Sequence, residues 1–337
     1  MILVTGGTGF VGREVVAQLL ALGYHVRLLT RHPQRGNSLA AHPRLQLVPG
    51  DALRPDTLPA AMTGVRAVIN LIGIIAETSR VTYEQAHTQA TRNLLAAAKQ
   101  AGVTRWIQMS AIGTRPFARS RYHLTKWHAE ELVRQSGLDW TLFRPSLIYG
   151  HDERDRLLNL LRRTLSSPIN LLLVYSFPLL DGGAPLVQPV SVREVARCFA
   201  LAPAKAAAIG QTYDLVGPAA FSWREMIFKI LRALGRKGLY EELPLLLALR
   251  KLLWWATLLL PALLIAIRWR QTILFNIPSE PLILASEALR PFLPRQLQPG
   301  EILKMALEDN TGDPLPAMKT FAYIPETFEQ GLANILL

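Results

Sequence analysis

Over the first 150 residues, short apolar runs alternate with stretches in which apolar side chains recur every three or four positions. This alternation predicts strand–helix–strand units closing on a parallel sheet. Ile2–Thr5 reads as the first strand. A helix follows from about Gly9 to Leu22, with Val11, Val15, Val16, Leu19 and Leu20 on one face. Gly23 is placed to cap its end. His25–Thr30, Leu45–Val48 and Ala67–Ile72 read as the next three strands. A long helix starts near Tyr83 and ends at Gly102. Trp106–Ser110 and Trp140–Phe143 are the fifth and sixth strands, the last leading into Arg144-Pro145-Ser146.

After Gly150 proline and leucine rise and strand signals thin. Two stretches, Pro189–Ala196 and Gln211–Leu215, read as returns to the sheet. The expected fold class is α/β: a Rossmann-type doubly wound parallel sheet over residues 1–150, with returns at about 189–216. A smaller, mostly helical C-terminal lobe would take 151–188 and 217–337.

Composition narrows the partners. Lys and Arg outnumber Asp and Glu by 37 to 25, giving a net charge of +12. That balance favours anionic partners such as nucleotide phosphates, acidic lipid or an acidic protein surface. The cations are dispersed, with no block of five or more, so nucleic acid is not expected. Cys198 is the sole cysteine, which excludes an intramolecular disulfide and suits a buried, inert thiol. No metal site is expected, and the oligomeric state is left open. The opening Met1-Ile2-Leu3-Val4 reads as strand rather than a charged leader, so a cytoplasmic location is expected.

One segment complicates that location. Within the apolar stretch 243–275, Leu252 to Ile267 carries no charge and contains Trp254, Trp255 and Pro261. Arg250 and Lys251 precede it, and Arg268 and Arg270 follow. A spanning helix needs about 20 apolar residues, so the run is short. It suits a helix lying in a membrane surface, a contact with a membrane-protein partner, a buried helix pair or an oligomer contact. The location would then be peripheral to the membrane.

The first candidate chemistry lies between strand one and its helix. Thr5-Gly6-Gly7-Thr8-Gly9-Phe10-Val11-Gly12 places glycines where a dinucleotide loop needs them. Gly6 can take the tight turn, Gly9 leaves room for a pyrophosphate, and Gly12 lets the helix pack closely on the strand. The helix N-terminus then offers free N–H groups to the phosphates. At the end of strand two no acid is present to bind a ribose 2′-hydroxyl. Arg31 and Arg35 stand there instead and suit a 2′-phosphate, so NADP(H) is favoured over NAD(H). Asp51 is placed to accept from the adenine amino group, and Gly73 to let backbone approach the second ribose.

The second candidate chemistry is Ser110, Tyr122 and Lys126. Tyr122 and Lys126 are spaced i, i+4, one turn apart on a helix face. A nearby ammonium favours the phenolate and is expected to lower the tyrosine pKa. Such a tyrosine can act as acid or base on a carbonyl–alcohol pair. Lys126 can also hold the nicotinamide ribose. Ser110 falls at the carboxyl end of strand five, the side that faces ligand in an open parallel sheet.

With these pieces in place, the sequence resembles the short-chain dehydrogenase/reductase superfamily in its extended, atypical branch. The matching segments are Thr5–Gly12, Gly50-Asp51, Asn70–Gly73, Ala101–Arg105, Ser110, Tyr122 with Lys126, and Arg144–Gly150. Ala52, Leu71 and Pro145, inside or beside these segments, join the candidate cofactor contacts. Within that branch it is most similar to the dinucleotide-binding accessory subunits of respiratory complex I and their bacterial relatives. The similarity runs through Met109-Ser110-Ala111, Ser120-Arg121-Tyr122, Gln188-Pro189-Val190, Leu307–Asn310 and Ile324–Thr327. The middle of the C-terminal lobe, about 240 to 300, has no match.

The resemblance carries one departure. Extended members often place an Asn in the helix after strand four, where this chain, like the complex I relatives, has His87. That change puts a proton relay through the position in doubt. In that branch the cofactor is often held without turnover, so the resemblance implies an accessory or assembly protein of a membrane respiratory complex that holds NADPH. The intact Ser110, Tyr122 and Lys126 imply the alternative, an active NADPH-dependent reductase on an apolar carbonyl or quinone. A nucleotide-sugar epimerase or dehydratase fits the leucine-rich lobe less well.

Overall fold

The computed structural model describes residues 1–33, 42–150, 176–234, 237–241, 271–289 and 300–336. Seven parallel strands form the central sheet: β1 (Ile2–Thr5), β2 (Val26–Thr30), β3 (Leu45–Pro49), β4 (Ala67–Asn70), β5 (Arg105–Met109), β6 (Asp139–Pro145) and β7 (Gln211–Leu215). Their order is β7-β6-β5-β4-β1-β2-β3. The chain moves outward from β1 to β3, then returns to the other side of β1 with β4. The strand order therefore reverses between β1 and β4, and a crevice opens outside their carboxyl ends.

Strand alternation sends successive side chains to opposite faces. Ile2, Val4 and Ile69 point into one core with α1 (Phe10–Ala21) and α4 (Val192–Leu201). Leu3 and Val68 point into a second core with α2 (Ala90–Gln100) and α3 (Arg121–Arg134). The sheet is thus covered on both faces, as doubly wound sheets must be. On the first face Phe143 packs at 4.7 Å from Phe199 and 5.4 Å from Phe321, ring centre to ring centre. Phe321 ends the helix Leu315–Phe321, so a segment near the C-terminus closes the core under β6 and β7. Cys198 is buried in the same core, where burial pushes its thiol up.

A third cluster, with Phe221, Ile227, Ile230, Phe328 and Leu332, forms the core of the C-terminal lobe. Its helix Trp223–Ala233 begins with a capping box between Ser222 and Glu225. The lobe also holds strand: Gln271–Ile277 pairs in parallel with both Ser176–Leu180 and Lys237–Glu241. The expected apolar segment 243–275 falls outside the described residues except for 271–275, whose backbone belongs to that strand. Among the described residues no helix is long and apolar enough to cross a membrane.

The helix expected from Tyr83 starts differently. Residues Glu84–Gln89 form a π-turn before α2 takes over at Ala90. The Thr91 hydroxyl donates to the His87 carbonyl at 2.6 Å, taking part of the bonding a tight helix would give that oxygen. Single π-turns of this kind recur at functional sites.

Candidate dinucleotide site

The glycine loop occupies the switch point between β1 and β4. Gly6 adopts a φ of 72°, and a Cβ there would lie 2.9 Å from the Leu71 carbonyl carbon. Only glycine meets both conditions. Gly12 is tighter still, since a Cβ would sit 2.3 Å from the Gly6 oxygen and 2.5 Å from the Gly7 Cα. Gly9 is different: it is exposed, and a Cβ would meet only the Gly6 oxygen, at 3.2 Å. Its lack of a side chain serves the space outside the loop. Gly9 is the N-cap of α1, with no side-chain cap bond and no acid in the first turn. The N–H groups and partial positive charge of that end therefore face the crevice.

Thr5 and Leu71 flank this loop. The Thr5 carbonyl accepts from the Leu71 N–H at 3.1 Å, and the Thr5 hydroxyl donates to Asn70 Oδ1 at 2.6 Å. The Asn70 amide donates in turn to Thr91 and to Gln108, which also receives the Trp106 indole N–H. Sequence reading missed this buried polar network; no local pattern marks residues drawn from β1, β4, β5 and α2. It locks the carboxyl ends of three strands against one another.

The remaining cofactor candidates divide by position. Val11 and Gly7 are buried beneath the loop, Thr8 lies on it, and the Phe10 ring reaches toward the Gly150 backbone. Asp51 and Ala52 follow β3, where one Asp51 carboxylate oxygen accepts from the Leu53 N–H at 3.0 Å. The Ala52 carbonyl accepts from the Asn93 amide. Pro145, at the end of β6, is buried and its carbonyl accepts from the Ile112 N–H. Arg31 is exposed just beyond β2. Arg35 lies outside the described residues.

Ser110, Tyr122 and Lys126 meet the crevice from its other side. Ser120 caps α3 by accepting from the His123 N–H, so Tyr122 and Lys126 fall one turn apart as expected. Lys126 is 3% exposed. Its ammonium donates to the Met109 carbonyl at 3.2 Å, and a Cβ on Gly73 would stand 2.9 Å from it. The lysine thus bridges the ends of β4 and β5, and Gly73 leaves the room it needs. Burial lowers its pKa to about 8, opposed by Glu130. Ser110 is buried beside it and donates to the Thr114 hydroxyl at 3.3 Å.

Tyr122 departs from expectation. Its ring is held edge-on by Tyr83, His87 and His123, with centroids 5.9, 5.2 and 5.2 Å away. Burial pushes its phenol up to about 12. In this packing the desolvation of the phenolate outweighs the ammonium, which is turned toward backbone carbonyl.

The C-terminal lobe closes this end, a contact that sequence reading did not foresee. Glu301 accepts from the Arg121 N–H at the start of α3. Glu308 pairs with Arg115 at 2.9 Å and approaches His123 at 3.7 Å. Glu77 pairs with Arg121 at 2.7 Å and accepts from the Tyr83 N–H, tying the loop after β4 to α3.

The cradle at Gly9, the uncapped α1 and the ammonium beside Gly73 fit the diphosphate and a ribose of a dinucleotide, with no acid in the first turn of α1 to repel it. Fold and site together define an NAD(P)-binding Rossmann protein. The profile of an NAD(P)H-binding family matches residues 6–164. The chain is 34% identical over 256 residues to the mitochondrial NADH dehydrogenase [ubiquinone] 1 alpha subcomplex subunit 9 of Arabidopsis thaliana, covering 72% of this chain and 60% of that protein. It is 30% identical over 247 residues to an NAD(P)H azoreductase of Xenophilus azovorans, covering 73% and 78%. Its fold matches an NADPH-dependent quinone oxidoreductase of Escherichia coli solved with NADPH, at a TM-score of 0.70 and 17% identity over 100% of both chains. The chain belongs to an NAD(P)H-binding family, and its fold is of the short-chain dehydrogenase/reductase type.

Proposed function

We propose that this chain holds NADPH, in preference to NADH, as a seated structural element, and serves as an accessory or assembly protein of a membrane respiratory complex. The observation that carries this is the state of Tyr122. With its phenol at about 12 and its ring clamped by three neighbouring rings, it is a weaker proton donor than an ordinary tyrosine and lies further from the operating pH that acid–base catalysis favours. The three candidate side chains then act as a clamp: Lys126 on the ribose, Ser110 and Tyr122 beside the nicotinamide. The similarity to the complex I subunit supports the accessory role. The preference for NADPH rests on Arg31 and Arg35 standing where NAD-binding members place an acid. On this reading the protein is cytoplasmic and peripheral to the membrane, with 243–275 as the contact to membrane or membrane protein.

A second reading, an NADPH-dependent reductase of an apolar carbonyl or quinone, is favoured by the convergence of Lys126 and Ser110 at the end of β5. Bound NADPH would supply the hydride. Tyr122 would donate the proton to the developing alkoxide, with Ser110 hydrogen-bonded to the same oxygen.

Cofactor retention separates the two. Under the accessory reading, reduced nicotinamide co-purifies, visible by absorbance and fluorescence, and survives a panel of carbonyls and quinones. Under the reductase reading it is oxidised, and Tyr122→Phe lowers the rate by about 10²–10⁴-fold. Oxidation that Tyr122→Phe abolishes would sink the accessory reading.

A further inference from the structure

We infer that His87 is a positioning residue, a neutral two-point brace that sets the loop after β4 against the nicotinamide half of the dinucleotide. The inference rests on the dinucleotide reading of the crevice and goes beyond it by assigning a residue that the site's sequence motifs do not include.

The wide turn Glu84–Gln89 projects His87 under residues 71–75, where it is 1% exposed. Its Nε2 lies 3.2 Å from the Ile74 backbone nitrogen, whose N–H donates to it. An imidazole nitrogen that accepts carries no proton, so the proton is on Nδ1. Nδ1 lies 2.8 Å from the Thr125 hydroxyl. That hydroxyl has its own proton directed to the carbonyls of Arg121 and Tyr122, at 2.9 and 3.1 Å. It is therefore free to accept from Nδ1–H. Only the Nδ1–H tautomer satisfies every donor and acceptor in this series of bonds.

The brace joins two parts of the site that are distant in sequence. On one side it pins the loop carrying Gly73 and Ile74. On the other it holds Thr125, between Tyr122 and Lys126. A Cβ on Gly73 would lie 2.9 Å from the Lys126 ammonium and 3.7 Å from His87 Nε2, so lysine and histidine share one wall of the crevice. The Tyr122 ring stands at 90° to the imidazole. A single ring thus sets the distance between the backbone that approaches the ribose and the helix that carries the lysine and tyrosine.

The same geometry rules out a relay through this ring. A proton path needs a titrating nitrogen facing substrate or solvent, whereas Nε2 faces an amide donor. The titratable groups around it are Tyr83, Tyr122, His123 and Lys126. Burial first, then the Lys126 charge, hold its pKa well below the usual histidine range.

Two measurements test the brace. The first is side-chain ¹⁵N NMR of His87 in the full chain, for which the expectation is a neutral ring with the proton on Nδ1 across the neutral range. An imidazolium, or a proton on Nε2, overturns the inference. The second compares NADPH with 2′,5′-ADP, which contacts only the adenosine half. His87→Phe should lower NADPH affinity about tenfold, the value of one or two lost hydrogen bonds, and leave 2′,5′-ADP binding unchanged. His87→Gln, whose amide can accept from Ile74 and donate to Thr125, should recover most of the loss. Equal NADPH binding by all three proteins, or equal loss for both ligands, overturns it. Wild-type protein that binds neither ligand would refute the dinucleotide reading itself, and the NMR tautomer would still decide the brace.

Discussion

At the glycine-loop end of the crevice the protein presents backbone, and at the end holding Ser110, Tyr122 and Lys126 it presents side chains. Gly6, Gly9 and Gly12 act by what they lack: two leave room for neighbouring backbone, and Gly9 leaves open space outside the loop. Lys126, Tyr122 and His87 act by what surrounds them, since they are packed among groups from the end of β5, the loop after β4, the π-turn and α3. The backbone end is set by sterics that one extra carbon would violate. The side-chain end is set by desolvation and hydrogen bonding, which a distant contact can retune.

The sharpest way to break the contrast is Gly12→Ala. Its Cβ would fall 2.3 Å from the Gly6 oxygen. Overpacking typically costs 1–3 kcal/mol and sometimes more, so a stability loss of about 3 kcal/mol is expected in thermal or denaturant unfolding. NADPH binding should vanish with it. A fully stable Gly12→Ala protein would show that the loop is not sterically set.

Gly9→Ala should separate binding from folding. The added carbon meets only one oxygen, at 3.2 Å, so unfolding should shift little. NADPH titrated by fluorescence should bind about 10–100-fold more weakly, because charge-assisted bonds to the phosphates are worth roughly 1.5–3 kcal/mol. Unchanged affinity would place the pyrophosphate elsewhere.

At the other end, Lys126→Met should weaken NADPH about tenfold while leaving the ligand-free protein as stable or more so, since a buried charge is costly unless well paired. The pH dependence gives a second reading. Lys126 titrates near 8 when folded, against 10.5 as its ordinary value. Between those values the unfolded chain binds more protons, so this group makes stability rise with pH. Subtracting the Lys126→Met stability curve from wild type should leave that rise, from about pH 8 to about pH 10. A flat difference would mean the lysine is hydrated.

The smallest effect is expected from Arg31→Ala. Arg31 is exposed, and exposed ion pairs are worth about 0.2–1 kcal/mol. NADPH should weaken by about two- to fivefold, and NADH not at all. Equal loss for both cofactors would remove the 2′-phosphate from Arg31.

Much of the backbone end was legible in the sequence. Strand and helix periodicities place β1 through β6 within a residue or two, and the glycine spacing locates the crevice. The i, i+4 spacing of Tyr122 and Lys126 is likewise local, because a capped helix presents such residues one turn apart. Their ionisation was not legible. Spacing predicts a lowered tyrosine, whereas the packed rings of Tyr83, His87 and His123 raise it. The Thr5–Asn70–Gln108 network and the Glu301 and Glu308 contacts join residues too far apart for any local pattern to reveal.

The sequence by itself determined the order of strands and helices, the positions where no side chain can stand, and the choice of a dinucleotide as ligand. These follow from periodicity, capping and the absence of a Cβ, all properties of neighbours along the chain. Only the tertiary structure decided which side chains share a wall of the crevice, which tautomer His87 holds, and that burial raises Tyr122 while it draws Lys126 down toward neutrality. Those depend on local dielectric and on partners brought from remote segments, and neither is set until the sheet is wound and the lobe is in place.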